Sequence, residues 1–149
     1  MDKDFVENLL KRVKEAEKDK DTHIPYSTIH GRDPDVEVKY ILDKSPELAG
    51  AKPAQGMRCD FLYDGDDPLK DGTYSIAPEL LDESENVIID KSLPMEEKGK
   101  AYMWVGYGKN RILHKRRLKV GTKGYWVVGS KKLAKVTVTK ILGLFESEA

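Results

Sequence analysis

From residue 57 to residue 142 the chain is a succession of short β-rich runs cut by turn chemistry, and this pattern narrows its possible folds more than any other feature. The runs are MRCDFLY (57–63), TYSIAPELL (73–81), NVIID (86–90), KAYMWVGY (100–107), RILHKRRLKV (111–120), GYWVVG (124–129) and KLAKVTVTKIL (132–142). DGDDP, KDG, DESEN, GKN, GTKG and GSKK separate them. Glycine reaches backbone angles closed to other residues, and Asp and Asn side chains bond their own backbone, so such clusters reverse the chain. Short strands at this spacing predict a small antiparallel barrel or sandwich. The clearest strand is KVTVTKI, where Val136 and Val138 alternate with Thr137 and Thr139. In RILHKRRLKV the strand template puts Ile112, Leu118 and Val120 on one face, with His114 and Arg116 between them. Lys115, Arg117 and Lys119 then point the other way.

The first third reads differently. Phe5, Val6, Leu9, Leu10, Val13 and Ala16 recur at helical spacing, and Asp4 with Glu7 has the form of a capping box. An amphipathic helix over 1–21 follows, its stripe docked on the rest of the protein, since a free helix of that length is marginal in water. Residues 22–56 form a connecting segment. Within it DVEVKYILD (35–43) puts Val36, Val38, Tyr40 and Leu42 on one side of a strand, although Asp33-Pro34 could also start a helix. Ser45-Pro46-Glu47-Leu48 suggests a single helical turn, and AGAKPAQG (49–56) a linker. The predicted fold is mainly β: a small antiparallel β-barrel over 57–145, preceded by the N-terminal helix.

At 149 residues the chain is about one domain long, and a domain of this size buries enough surface to be stable without a disulfide or metal. Cys59 is the only cysteine, which excludes an internal disulfide and a thiolate cluster. No run approaches the roughly 18 apolar residues of a membrane span, and the charged N-terminus lacks the apolar core of a signal peptide. A cytoplasmic protein is expected. The formal net charge is zero, but it is unevenly laid out. Residues 60–97 hold 2 basic and 12 acidic groups, whereas residues 98–145 hold 13 basic groups and no acidic one. That asymmetry bears on partners and association, not on fold.

The run GTKGYWVVGSKKLAKVTVTKIL (121–142) resembles the last hairpin in the C-terminal barrel of elongation factor Tu and related translation factors. Gly121, Tyr125, Gly129, Val138 and Ile141 occupy the places of its glycine-bounded aromatic strand and its closing Val-x-x-Ile. The resemblance implies a closed six-stranded antiparallel barrel that works by contacting protein or RNA and carries no catalytic group. The Arg-Glu-Gly and Gly-Arg-Thr elements of that hairpin are replaced by Val127-Val128-Gly129 and Lys131-Lys132-Leu133, and the chain has no GxxxxGK[ST] loop.

Among groups that could carry chemistry, the basic ones come first. Lys109, Arg111, Lys115, Arg116, Arg117, Lys119, Lys123, Lys131 and Lys132 could neutralise a polyanion, and Trp126 heads the aromatics that could stack bases, with Tyr102, Trp104, Tyr107 and Tyr125. Alternatively, acidic and basic strands pair their charges across the sheet. Asp64, Asp66, Asp67 and Asp71 have the hardness of calcium ligands but not the spacing of an EF-hand, which reads as a solvated turn. His23 and His30, with Asp21 and Asp33 nearby, have no third histidine close by. Cys59 falls on the inward set Met57, Cys59 and Phe61, as a buried structural thiol.

The expected function is a non-enzymatic interaction module whose basic barrel face meets an acidic partner, either a protein or structured RNA, with no cofactor, catalytic group or metal. The alternatives are a small-molecule or metal-dependent enzyme using His23, His30 and nearby carboxylates, and a self-associating protein whose acidic and basic faces pair between copies.

Overall fold

The computed structural model describes residues 3–4, 6–9, 22–43, 53–106, 108–129 and 131–146. Its strands are β1 (Val36–Leu42), β2 (Cys59–Tyr63), β3 (Tyr74–Leu80), β4 (Lys98–Trp104), β5 (Lys123–Val128) and β6 (Lys131–Ile141). They close into an antiparallel barrel in the order β1-β4-β3-β2-β5-β6, with β6 pairing back onto β1. Helix α1 (Tyr26–His30) precedes β1, and helix α2 (Lys109–Arg117) lies between β4 and β5.

The alternation in the sequence becomes the wall of the barrel. Val36, Val38 and Tyr40 of β1, Phe61 of β2, Ile76 of β3, Met103 of β4, Trp126 of β5, and Val136 and Val138 of β6 point inward and are buried. Their pleat partners face out because successive side chains of a strand point to opposite faces. The Met57, Cys59, Phe61 set is inward as expected, with Cys59 and Phe61 buried and Met57 packed against the core. Close packing leaves no room at Gly124, where a Cβ would come within 2.6 Å of the Leu62 carbonyl oxygen and would overlap the Phe61 ring.

The barrel begins at Val36, so DVEVKYILD is one of its staves and not part of a connecting segment ending at residue 56. The described end of the expected linker is also packed. Gln55 is buried, donates to the carbonyls of Leu80 and Ile88, and accepts from the Leu80 amide. NVIID does not form a strand. It contributes the isolated bridges Leu81↔Val87 and Thr22↔Asp90. At the N-terminus residues 3–4 and 6–9 are helical, with Leu9 exposed. Phe5, Leu10, Val13 and Ala16, and the turn expected at 45–50, lie outside the described residues.

The largest departure is RILHKRRLKV, most of which is helix and not strand. In α2 and just beyond it, Arg111, His114 and Leu118 are buried, a stripe at i, i+3 and i+7, while Ile112 is 47 % and Val120 67 % exposed. The period-2 reading therefore held for His114 and Leu118 but failed for Ile112, Arg116 and Val120, and it missed Arg111. Two of the three buried positions are polar, so no apolar periodicity announced the helix. What fixes α2 is the barrel mouth. In an antiparallel barrel the starts of β1, β3 and β5 and the ends of β2, β4 and β6 share one end, and α2 lies across it. Arg111 reaches Asp35 just before β1 and the carbonyls of Gly143 and Leu144 just after β6. His114 reaches Tyr63 at the end of β2 and Tyr74 at the start of β3. Leu118 joins the core beneath.

Candidate functional site

The plug explains the fate of several expected surface residues. Arg111 is fully buried, not a surface cation. Its Nη1 lies 2.7 Å from Asp35 Oδ1 and 3.0 Å from the Gly106 carbonyl. Asp35, also fully buried, further accepts from Arg32 at 2.8 Å and from the Val105 amide at 2.9 Å. Trp126 is likewise fully buried, its Nε1 3.5 Å from Met103 Sδ. Neither residue can meet a partner; each is held by the fold. Trp104 is buried, Tyr102 and Tyr125 are half-buried, and Tyr107 lies outside the described residues.

Of the remaining cations, Arg117 is engaged. It grips Asp66 with both terminal nitrogens, at 2.7 and 3.0 Å, and lies 3.8 Å over the Tyr63 ring. That contact holds the Asp66 carboxyl below the usual carboxylate range. Lys109, Arg116 and Lys119 are exposed on the outer side of the plug, and Lys115 is half-buried there. Lys123, Lys131 and Lys132 are exposed on the β5–β6 hairpin, with the Lys132 ammonium 4.0 Å over the Tyr125 ring.

Strand register adds cations that the sequence reading passed over. Lys100, Lys39, Thr137 and Lys123 stand side by side across β4, β1, β6 and β5, and Lys98, Ile41, Lys135 and Tyr125 form the next row. All five lysines are exposed on the outer wall. Lys100 is paired with Glu85 at 2.7 Å. Among the described residues, no carboxylate forms an ion pair with Lys39, Lys98, Lys123 or Lys135. A shallow groove of about 320 Å³ runs here, lined by Lys39, Ile41, Lys123, Tyr125, Lys135 and Thr137, with Asp64 at its end accepting from the Tyr125 hydroxyl at 3.4 Å. The acidic and basic segments thus neutralise one another in part, through Lys100–Glu85 and Arg117–Asp66, and leave this wall positive. The rows could not be read from the sequence because Lys39 is 59 or more residues from its lysine neighbours and is placed beside them only by barrel closure.

The histidines of the first half are structural neighbours of Trp104. Glu79 and Trp104 point out of β3 and β4, and the segment carrying α1 lies over them. His23 Nε2 is 2.6 Å from Glu79 Oε2, which also accepts from the Tyr26 amide at 2.8 Å; Oε1 accepts from Trp104 Nε1 at 3.2 Å. His23 is 3 % exposed and Glu79 fully buried, so this carboxylate is enclosed by its donors. His30 is exposed and packs its ring 5.4 Å from that of Trp104, with Arg32 4.8 Å from the same ring. His23 is thus enclosed against Glu79 and Tyr26, while exposed His30 lies against Trp104, and the two histidines do not converge on an open cavity. Burial pushes the Cys59 thiol up to about 12, with the Asp60 charge adding to the effect, so at neutral pH the nucleophilic thiolate is scarce. Among the described residues, no group of three His, Cys, Asp or Glu side chains is placed to hold a metal ion. In the acidic turn Asp71 accepts from the Asp67 amide and Asp67 from the Leu69 amide, which are the local bonds of a closed loop.

Compared with known proteins, the chain matches no family model and no curated sequence. No helix among the described residues is long and apolar enough to cross a membrane.

Proposed function

We propose that the protein is a non-enzymatic interaction module whose basic wall, formed by β4, β1, β6 and β5, binds an acidic partner. The observation that carries this reading is the double row of lysines, of which Lys39, Lys98, Lys123 and Lys135 are exposed and without ion-pair partners among the described residues, while Lys100 is paired with Glu85. Like charges held this close raise the local potential, which a neutralising partner relieves and which steers such a partner in. Exposed Lys109, Arg116 and Lys119 on the plug extend the positive surface over the barrel mouth. The resemblance of residues 121–142 to the translation-factor hairpin supports the same mode of action, since barrels of that kind act through surface contacts.

The reading is tested by passing the full chain over immobilised heparin in a salt series. Retention that weakens steeply with salt and is abolished in the Lys39→Glu/Lys123→Glu/Lys135→Glu variant is the expected result, because counterion release makes such binding salt-dependent. No retention at low salt overturns it. If reversing Lys109, Arg116 and Lys119 instead abolishes retention, the plug and not the wall is the binding surface.

A further inference from the structure

We infer that the acidic partner is a protein, and that it lays on this wall an extended segment in which an apolar side chain is flanked by carboxylates; this rests on the reading above that the wall receives an acidic partner. The centre of the wall is Ile41, which is 58 % exposed. Ammonium groups flank it on three sides, Lys39 two residues back on its own strand, Lys98 opposite it on β4 and Lys135 opposite it on β6, and exposed Asp43 stands two residues forward. Neighbours across the strands are about 4.8 Å apart, and same-face neighbours along a strand about 6.8 Å. An extended peptide repeats its own side chains on one face at that second spacing. A Leu or Val set on Ile41 by a segment that crosses the strands therefore brings the acidic residues two positions to either side over Lys98 and Lys135, and long lysine stems take up the mismatch between the two spacings. Along β1 itself the same segment would meet Lys39 on one side and the Asp43 carboxylate on the other.

Nucleic acid fits the same surface less well. Bases bind sheet faces by stacking on open aromatic rings. The aromatic of this groove, Tyr125, has Lys132 over its ring and its hydroxyl bound to Asp64. Trp104 and Trp126 are buried. What the wall offers at its centre is an aliphatic contact, which a phosphate backbone does not use and an amphipathic acidic strand does. Asp64 lines the groove beside Tyr125, and its charge directs the carboxylates of the partner away from it, toward Lys39 and Lys135.

The test is fluorescence anisotropy of the full chain with three labelled probes: a peptide with one Leu between alternating Glu residues, an oligoglutamate of the same charge, and an oligouridylate, with heparin as competitor. The Leu peptide is expected to bind about tenfold more tightly than oligoglutamate, the increment of one buried aliphatic contact. Ile41→Ser should erase that difference and leave oligoglutamate binding unchanged, while Lys98→Glu/Lys135→Glu weakens both peptides. Both variants alter exposed side chains, and circular dichroism checks that the barrel is intact. If oligouridylate or heparin binds and neither acidic peptide does, the inference is overturned while the wall remains a polyanion surface. Equal binding of the two peptides, insensitive to Ile41, also overturns it. If no anion binds at low salt, the inference and the functional reading fail together.

Discussion

Arg111 on α2 and Asp35 ahead of β1 meet at 2.7 Å with both side chains fully buried, so the helix that plugs the barrel is bolted to its rim by an ion pair out of reach of water. Breaking such a pair by removing one member strands the other charge and costs about 3–5 kcal/mol. Arg111→Leu should therefore lower the unfolding free energy by about that amount in urea titrations. The Arg111→Leu/Asp35→Leu double variant should lose less than the sum of the two single losses, because neither member of the pair is left buried without the other, and Arg32, which also loses Asp35, is partly exposed. Additivity within error would show that the pair is not energetically coupled.

His114 makes stability depend on pH. Burial of its ring in the mouth, against Tyr63 and Tyr74, lowers its pKa from 6.5 to about 4; Arg117 and Arg111 nearby act in the same direction, and Asp35 opposes them. Its Nδ1 shares a 2.6 Å hydrogen bond with the Tyr63 hydroxyl, and Nε2 is buried without a hydrogen-bond partner among the described residues. A depressed folded-state pKa means that the unfolded chain binds the proton more tightly. The contribution is thus complete above about pH 6.5 and is lost as pH falls toward about 4. Within that window the slope from this group reaches up to about 1.4 kcal/mol per pH unit. His114→Gln, which keeps an acceptor for Tyr63, should be less stable at pH 7 and show a flatter decline between pH 6.5 and 4.5 in guanidinium titrations. An unchanged slope would exclude His114 as its source.

Glu79 fastens the α1 segment to the outside of the barrel through His23, the Tyr26 amide and the Trp104 indole. Glu79→Ala leaves these groups buried without their acceptor, a cost of about 1–3 kcal/mol. The readouts are faster amide exchange at Tyr26 and a red-shifted Trp104 emission, with barrel strands still protected. Glu79→Gln, which retains one acceptor oxygen, should fall between wild type and Glu79→Ala. Wild-type protection at Tyr26 in Glu79→Ala would show that packing on Trp104 alone holds the segment.

Where local pattern and tertiary demand coincide, the sequence was readable. KVTVTKI alternates because β6 has one face on the core, and Val136 and Val138 are buried as that alternation requires. MRCDFLY and DVEVKYILD gave their inward faces for the same reason, and runs and turns announced a small antiparallel β domain, although two of the seven runs are not strands and β1 completes the closed barrel from outside residues 57–145. RILHKRRLKV shows the opposite case. Its buried stripe is Arg111, His114 and Leu118, and an arginine and a histidine are placed in an interior only when the fold supplies Asp35, Tyr63 and the carbonyls of Gly143 and Leu144. Those partners lie up to 76 residues away, so no local signal reported them.

The candidate wall has the same origin. Charge counts showed that residues 98–145 were basic, but they missed Lys39, and the candidate surface included Arg111 as a cation and Trp126 as a stacking ring when both are fully buried. The sequence by itself determined the strand periodicity, the turns and the uneven charge, since these depend on residues a few positions apart. Only the tertiary structure decided which charges meet and which remain exposed. Closing the barrel sets β1 between β4 and β6, and that one act of strand pairing brings lysines from three segments of the chain beside Ile41.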